Sequence, residues 1–284
     1  MFVLARIPWN LTRKIERFHD ADVVVLSLGK SGRTWLRVML HRALALEYDL
    51  AFDPIRLDPG SSPAPRIAYT HELATHLRAD PLGKQLLGRS ILPRSLTDRK
   101  RLVVLVRDPR DVVVSSYFHK RERSRKTDMP LEAFIHHPRW GIELLVAILN
   151  RWRRRFADHP RCHWVHYEAL RRASEAELGR LFEALAVPVG HDAIARSVDA
   201  ARFDRMQAAE AAGAFGDPRL RPGDVDRPES FKVRRGKVGG YRDDFGPEAI
   251  AFLDAAVARL DPFFGYGPTA VEAVDARCSA LRRA

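Results

Sequence analysis

In VVVLSLGKSGRTWLRVML, residues 23–40, an apolar β-branched run gives way to Gly29-Lys30-Ser31-Gly32-Arg33-Thr34 and then to apolar residues at helical spacing. A helix N-terminus offers unpaired N–H groups and a positive dipole end, so a turn of this kind is an anion cradle. Gly29 and Gly32 permit the tight turn, Lys30 supplies a mobile charge, and Ser31 and Thr34 supply hydroxyls. Residues 101–117, RLVVLVRDPRDVVVSSY, repeat the scheme, with Arg107 at the strand end and Ser115 in the second turn of the next helix. Carboxyl ends of neighbouring parallel strands open into one crevice. Two anion-binding turns there imply a ligand with phosphates at both ends.

Two other chemistries fit poorly. A nucleoside-triphosphate loop needs G-x-x-x-x-G-K-[ST]. With Gly29 as its second glycine, the first position falls on Val24, so the Walker pattern fails. His163-Trp164-Val165-His166 has alternate spacing on a strand, but no carboxylate or cysteine set accompanies it as a metal site would require. Cys162 and Cys278 lie far apart, which excludes a disulfide scaffold and fits a reducing compartment.

The elements that must position these residues read as a parallel sheet covered by helices. The clearest strands are Val23–Ser27 and Leu102–Val106; Ile67–Thr70 and His163–His166 are weaker. Trp35, Leu36, Met39, Leu40, Ala43 and Leu44 predict a helix after the first strand. Asp108 suits a cap, Pro109 the first helical position and Asp111 the first turn of a second. Glu175–Leu185 and Pro247–Leu260 read as amphipathic helices, and Arg121–Pro130 and Gly213–Pro228 as loops. The expected fold class is α/β, three-layer, with a mostly parallel sheet and a P-loop-like strand–turn–helix. The 284 residues read as one domain, 1–284, with an N-terminal segment 1–20 and a C-terminal tail 268–284.

Composition narrows the partners. Of 48 basic residues 40 are arginine, and the formal charge is +12, so anionic ligands are favoured. No apolar run approaches the ~18–20 residues of a membrane span. MFVLARIPWN, broken by Arg6 and Pro8, is a poor signal peptide. These features point to a soluble cytoplasmic protein. Arg151–Arg155 and the basic stretch 121–126 would be the surface of a non-catalytic polyanion or nucleic-acid binder, yet no nucleic-acid motif accompanies them.

At this point the chain resembles the PAPS-dependent sulfotransferases, most closely the cytosolic type. GKSGRTW is similar to the family's PKSGTTW, which grips the 5′-phosphosulfate of 3′-phosphoadenosine 5′-phosphosulfate (PAPS). RDPRDVVVSSY is similar to RNPKDVxVSYY, which grips the 3′-phosphate. Arg234-Arg235-Gly236-Lys237-Val238-Gly239-Gly240-Tyr241, followed by Phe245, resembles RKGxxGDWxxxF. Three ordered motifs span residues 29–245.

The resemblance implies roles residue by residue. Lys30 becomes the lysine at the bridging and sulfuryl oxygens, with Ser31, Gly32, Arg33 and Thr34 as the 5′-phosphate shell and Trp35 at the adenine. Arg107 and Ser115 hold the 3′-phosphate with Arg234, Arg235 and Gly236. Ser115 also holds Lys30 until both substrates arrive. Tyr167, from Tyr167-Glu168-Ala169, and Phe203, from Arg202-Phe203-Asp204-Arg205-Met206, become adenine walls. His71, in Tyr69-Thr70-His71, takes the place of the family's catalytic base.

Three positions depart from the family. Arg33 replaces a threonine and keeps its backbone N–H, its guanidinium either joining the phosphate or pointing to solvent. Tyr69 replaces a lysine that shapes the acceptor pocket. Gly240-Tyr241 replace Asp-Trp.

The implied reaction is in-line transfer of a sulfuryl group from PAPS, leaving PAP, to a hydroxyl or amine acceptor without a metal. The acceptor is a small molecule, a glycan or a lipid-linked glycan, walled by loops 48–66, 119–142 and 213–231. A polyanion binder and a P-loop nucleotide kinase are the rival functions.

Overall fold

The computed structural model describes residues 18–71 and 97–267. Expectations for residues 1–17 and 268–284 lie outside them. Four parallel strands are described: β1 (Val23–Ser27), β2 (Ile67–Thr70), β3 (Arg101–Val106) and β4 (Cys162–His166), in the order β2-β1-β3-β4. Val23 pairs with both Ile67 and Arg101, and Leu102 with Cys162, so β1 and β3 are the inner strands.

The inner strands are continuous apolar runs because both of their faces are covered. Val23 and Val25 join Val103 and Leu105 against α1 (Arg33–Glu47). Val24 and Leu26 join Leu102, Val104 and Val106 against α2 (Pro109–Phe118) and α4 (Ile142–Phe156). The short α3 (Leu131–Ile135) precedes α4. After β4 come α5 (Tyr167–Arg172), α6 (Ser174–Ala184), α7 (His191–Ala200) and α8 (Phe203–Ala211). The last described helix, α9 (Pro247–Val257), closes the α2 side. The fold is the expected three-layer α/β arrangement.

Several local expectations need correction. Arg121–Pro130 is not all loop: α2 runs on into a π-helical turn, His119–Arg123. The loop Gly213–Pro228 contains a 3-10 turn at Pro218–Leu220. The expected helices shift by a few residues to Ser174–Ala184 and Pro247–Val257. Arg151–Arg155 lies on α4 around the fully buried Trp152, and Arg153 stacks 4.3 Å from the Phe263 ring. Part of that run therefore lies along aromatic surface, not in a free basic stripe. Among the described residues no helix is long and apolar enough to cross a membrane.

Candidate active site

The carboxyl ends of β1, β2 and β3 open into one cleft of about 460 Å³. At the end of β1 the chain turns so tightly that Lys30 takes φ +74° and Gly32 φ +90°. Glycine is required at the second position: a Cβ on Gly32 would lie 2.6 Å from the Tyr167 ring. Helix α1 then starts with no side-chain cap and no acidic residue in its first turn. Its first N–H groups and dipole end therefore face the cleft without a competing carboxylate. Ser31 sits behind the cleft wall, fully buried, and its Oγ has no hydrogen-bond partner.

The end of β3 is built differently. Asp108 caps α2 by accepting the Arg110 N–H at 2.9 Å and clasps the buried Arg110 guanidinium, with Nη2 to Oδ2 at 2.7 Å. Asp111 is also buried. Its Oδ2 accepts from Arg107 Nη2 at 3.3 Å and from the Gly239 N–H at 3.0 Å, and its Oδ1 accepts from the Tyr241 N–H at 3.1 Å. This corrects the expectation of two like anion-binding turns. The second helix start is closed by its own carboxylates, so what this end of β3 offers the cleft is side chains, not helix N–H groups.

Those side chains are Arg107, Ser115 and Arg234, which all line the cleft. Arg107 stacks 4.3 Å from the Tyr167 ring and donates to the Lys237 carbonyl at 3.1 Å, while its buried Nε has no hydrogen-bond partner. Arg234 stacks 4.2 Å from Phe118, and its buried Nη1 likewise has no hydrogen-bond partner. Burial and the neighbouring Arg235 lower the pKa of Arg234. Arg235 also lines the cleft, but its guanidinium pairs with Asp244 at 3.2 Å. Gly236 takes φ +61°, and a Cβ there would lie 2.7 Å from the Phe203 ring.

Aromatic groups close the remaining wall. Tyr167 and Trp35 meet edge to face at 5.7 Å, and Trp35 Nε1 donates to the Ala201 carbonyl at 2.8 Å. Thr34 and Phe203 also line the cleft.

His71 follows β2, and its Nδ1 lies 2.9 Å from the Ser27 carbonyl. A carbonyl only accepts, so Nδ1 carries the proton and Nε2 the basic lone pair. Burial, with Lys232 and Arg123 next in weight, lowers the Lys30 pKa to about 7. Burial followed by Lys30 and Arg123 lowers that of His119 to about 3, so its imidazole is neutral at pH 7.

Every candidate site residue therefore gathers at this cleft, with Ser31 just behind its surface. The sequence reasoning missed Asp111 as the anchor of the late loop, and it missed His119, Lys232 and Glu210. Buried Glu210, on α8, holds the Lys232 and Val233 N–H groups at 2.6 and 2.9 Å. An acid 22 residues before a basic loop is all the sequence shows of this contact, and it does not mark it out. Glu168, next to Tyr167, accepts the Asp108 N–H at 3.0 Å and the Tyr266 hydroxyl at 2.7 Å, a supporting role.

Comparison with known proteins places this geometry. The chain is 24% identical over 271 residues to cytosolic sulfotransferase 8 of Arabidopsis thaliana, covering 84% of this chain and 76% of that protein. Cytosolic sulfotransferase 10 of the same plant is 22% identical over 280 residues, covering 84% and 77%. Among solved structures, a mouse sulfotransferase complexed with PAP superposes with a TM-score of 0.57 at 18% identity, covering 88% of this chain and 89% of that one. Retinol dehydratase, complexed with androsterone and inactive cofactor PAP, gives 0.57 at 18%, covering 83% and 79%. At these identities the structural likeness is one of fold. The model of the sulfotransferase domain, by contrast, matches residues 20–260, from just ahead of β1 to beyond α9 and across the whole cleft lining. The chain belongs to the sulfotransferase domain family.

Proposed function

We propose that the chain moves a sulfuryl group from PAPS to a hydroxyl or amine acceptor, with Lys30 at the leaving group and His71 as base. One observation carries this reading. The open helix start on β1 and the arginine seat beside β3 face one cleft, and Arg107 Nε and Arg234 Nη1 of that seat are buried polar atoms that lack hydrogen-bond partners. Such atoms are costly to leave unmet. They fit a nucleotide with a 5′-phosphosulfate over Gly29–Thr34 and a 3′-phosphate between Arg107, Ser115 and Arg234. Tyr167, Trp35 and Phe203 then wall the base, and Gly236 lets the late loop close on Phe203.

PAPS supplies an activated sulfuryl group, and the chain supplies position, charge and a base. His71 Nε2 takes the acceptor proton. The acceptor oxygen or nitrogen forms a bond to sulfur as the bond from sulfur to the bridging oxygen breaks, and the 5′-phosphate leaves with the electron pair. Lys30 and the α1 N-terminus stabilise the charge that grows there. Ser115, in the same cleft, holds Lys30 before the acceptor arrives. PAP and the sulfated acceptor are the products, and no metal ion is required.

A thermal-shift series tests the reading. Adenosine 3′,5′-bisphosphate should stabilise the protein far more than AMP, ADP or ATP, without magnesium. At about 100 times its Kd it adds roughly 2.7 kcal/mol, several degrees in Tm. Arg107→Ala and Arg234→Ala should erase that preference by removing the 3′-phosphate seat. Best stabilisation by ATP with magnesium would instead favour a kinase. A shift with only DNA, RNA or heparin would favour a polyanion binder.

A further inference from the structure

Between Phe231 and Gly239 the chain forms neither helix nor strand, so side chains must satisfy much of its backbone. Two buried acids do so, one on each side of Arg234, Arg235 and Gly236. Beyond them, Asp111 accepts the Gly239 and Tyr241 N–H groups, and Arg107 donates to the Lys237 carbonyl. Ahead of them, Glu210 Oε1 accepts the Lys232 N–H at 2.6 Å and Oε2 accepts the Val233 N–H at 2.9 Å. Asp111 lines the cleft; Glu210 does not.

The Glu210 clasp is one of three contacts from a single helix. Phe203, Gln207 and Glu210 fall at i, i+4 and i+7 on α8, which places them on one face. They meet the late loop in reverse order. Phe203 lies against Gly236, where a Cβ would be 2.7 Å from its ring. Gln207 Nε2 donates to the Val233 carbonyl at 3.3 Å, and Glu210 holds the N–H groups of residues 232 and 233. The loop therefore runs back along α8 and is held at three points. Val233 packs into the apolar cluster that contains Met206, while Arg234 stacks 4.2 Å from Phe118. Arg123 Nη1, 3.4 Å from Glu210 Oε1, gives the buried carboxylate a cation as well.

We propose that Glu210 is a positioning residue for 3′-phosphate recognition: it fixes the register of the late loop on α8 and so sets where the Arg234 guanidinium stands. This rests on the sulfotransferase reading above, in which Arg234 holds the 3′-phosphate. A carboxylate accepts both N–H groups in charge-assisted bonds, and a side chain that accepts only one leaves a buried donor unmet. Phe203 belongs to the same helix, so α8 sets the spacing between the adenine wall and the 3′-phosphate seat. A nucleotide with the base alone gains nothing from that spacing, and one with the 3′-phosphate depends on it. Glu210 thus governs donor selectivity from behind the cleft wall.

The test reads the ratio of PAP to AMP affinity by isothermal titration, because effects on the shared base and 5′-phosphate sites cancel in it. Glu210→Gln should lower PAP affinity roughly tenfold or more, as for a misplaced charge-assisted contact, and AMP affinity less than about threefold. Gln207→Met removes only the Val233 carbonyl contact and should shift the ratio the same way by about threefold. A double-mutant cycle with Arg234→Ala decides how Glu210 acts. With Arg234 gone, Glu210→Gln should cost almost no further PAP affinity. Equal loss of PAP and AMP affinity, unchanged PAP affinity, or additive losses with Arg234→Ala each overturn the proposal. Should Glu210→Gln bind neither nucleotide, Gln207→Met is taken through the same cycle, and an unchanged ratio there overturns it. An unmodified protein that binds PAP no better than AMP is a different result and overturns the sulfotransferase reading beneath it.

Discussion

The turns after β1 and β3 look alike in sequence and act in opposite ways. After β1, α1 begins on a glycine with no capping side chain, beside a lysine in a left-handed conformation. After β3, α2 begins on Asp108, with Pro109 at its first position and Asp111 in its first turn. The first helix start is left open to a ligand. The second is satisfied internally, and its carboxylates anchor Arg110, Arg107 and the late loop. A helix N-terminus is therefore an anion site only where the sequence withholds its own acids. Damage at the first turn should strike chemistry, and damage at the second should strike the fold.

The largest expected effect lies on the β1 side. His71 is held by the last carbonyl of β1, so His71→Ala should lower turnover by roughly 10²–10⁴-fold, with PAP affinity retained. Near-normal turnover with a hydroxyl acceptor at neutral pH would remove His71 from the mechanism.

Lys30→Met should cost roughly 10²–10³-fold in turnover, in the range of a lost transition-state contact. The same change should raise the Tm of the ligand-free protein at pH 7. The unfolded lysine keeps its proton to about 10.4. In the folded protein it releases that proton near 7. The unfolded chain thus binds more protons across this window, so this group's contribution to stability rises with pH and is least favourable at and below 7. A Tm that falls in Lys30→Met would contradict the desolvated lysine.

Asp108→Ala sharpens the contrast. Arg110 would stay buried with Asp254, the Tyr266 carbonyl and the Tyr241 ring as its remaining contacts among the described residues, none of them a two-oxygen carboxylate clasp. A loss of about 3 kcal/mol in unfolding free energy is expected, as for a broken buried pair, while the folded fraction still binds PAP. A selective loss of PAP affinity at unchanged stability would show that the second turn serves the ligand after all.

The smallest effect is a pH dependence. A bound phosphate favours the charged lysine, so the Lys30 pKa is higher in the complex than the value near 7 in the free protein. Binding then takes up a proton, and PAP affinity should fall as pH rises above 7, until the raised value is passed. Calorimetry in buffers of different ionisation enthalpy reads that uptake. Its absence in Lys30→Met would assign it.

The strands and both turns were legible because buried parallel strands are continuous apolar runs and because Gly, Asp and Pro fix local backbone. Asp108 and Asp111 were recognised as helix-starting acids. What remained hidden was that acids which suit a helix start also shut it to anions. Lys232, Glu210 and His119 were invisible for another reason. They meet Lys30 and Arg33 only through tertiary packing across some 90–200 residues, and no local periodicity encodes that. The short helices α5, α7 and α8 were also missed. Each is at most ten residues long and lies close to the next element, which leaves little periodic pattern to detect.

The parallel ladders bear on how the protein is made. Val23 pairs with residues 67 and 101, and Leu102 with residue 162, so none of the described strands pairs with a near neighbour in sequence. Closing such long loops costs entropy before any pairing offsets it, and chains of this topology fold slowly. The open turn, the arginine seat and the histidine ride on three of these strands and come together only when the ladders close. A nascent or partly folded chain consequently lacks the complete cleft. Nucleotide present during synthesis or refolding would protect the finished protein by mass action without guiding the chain towards it.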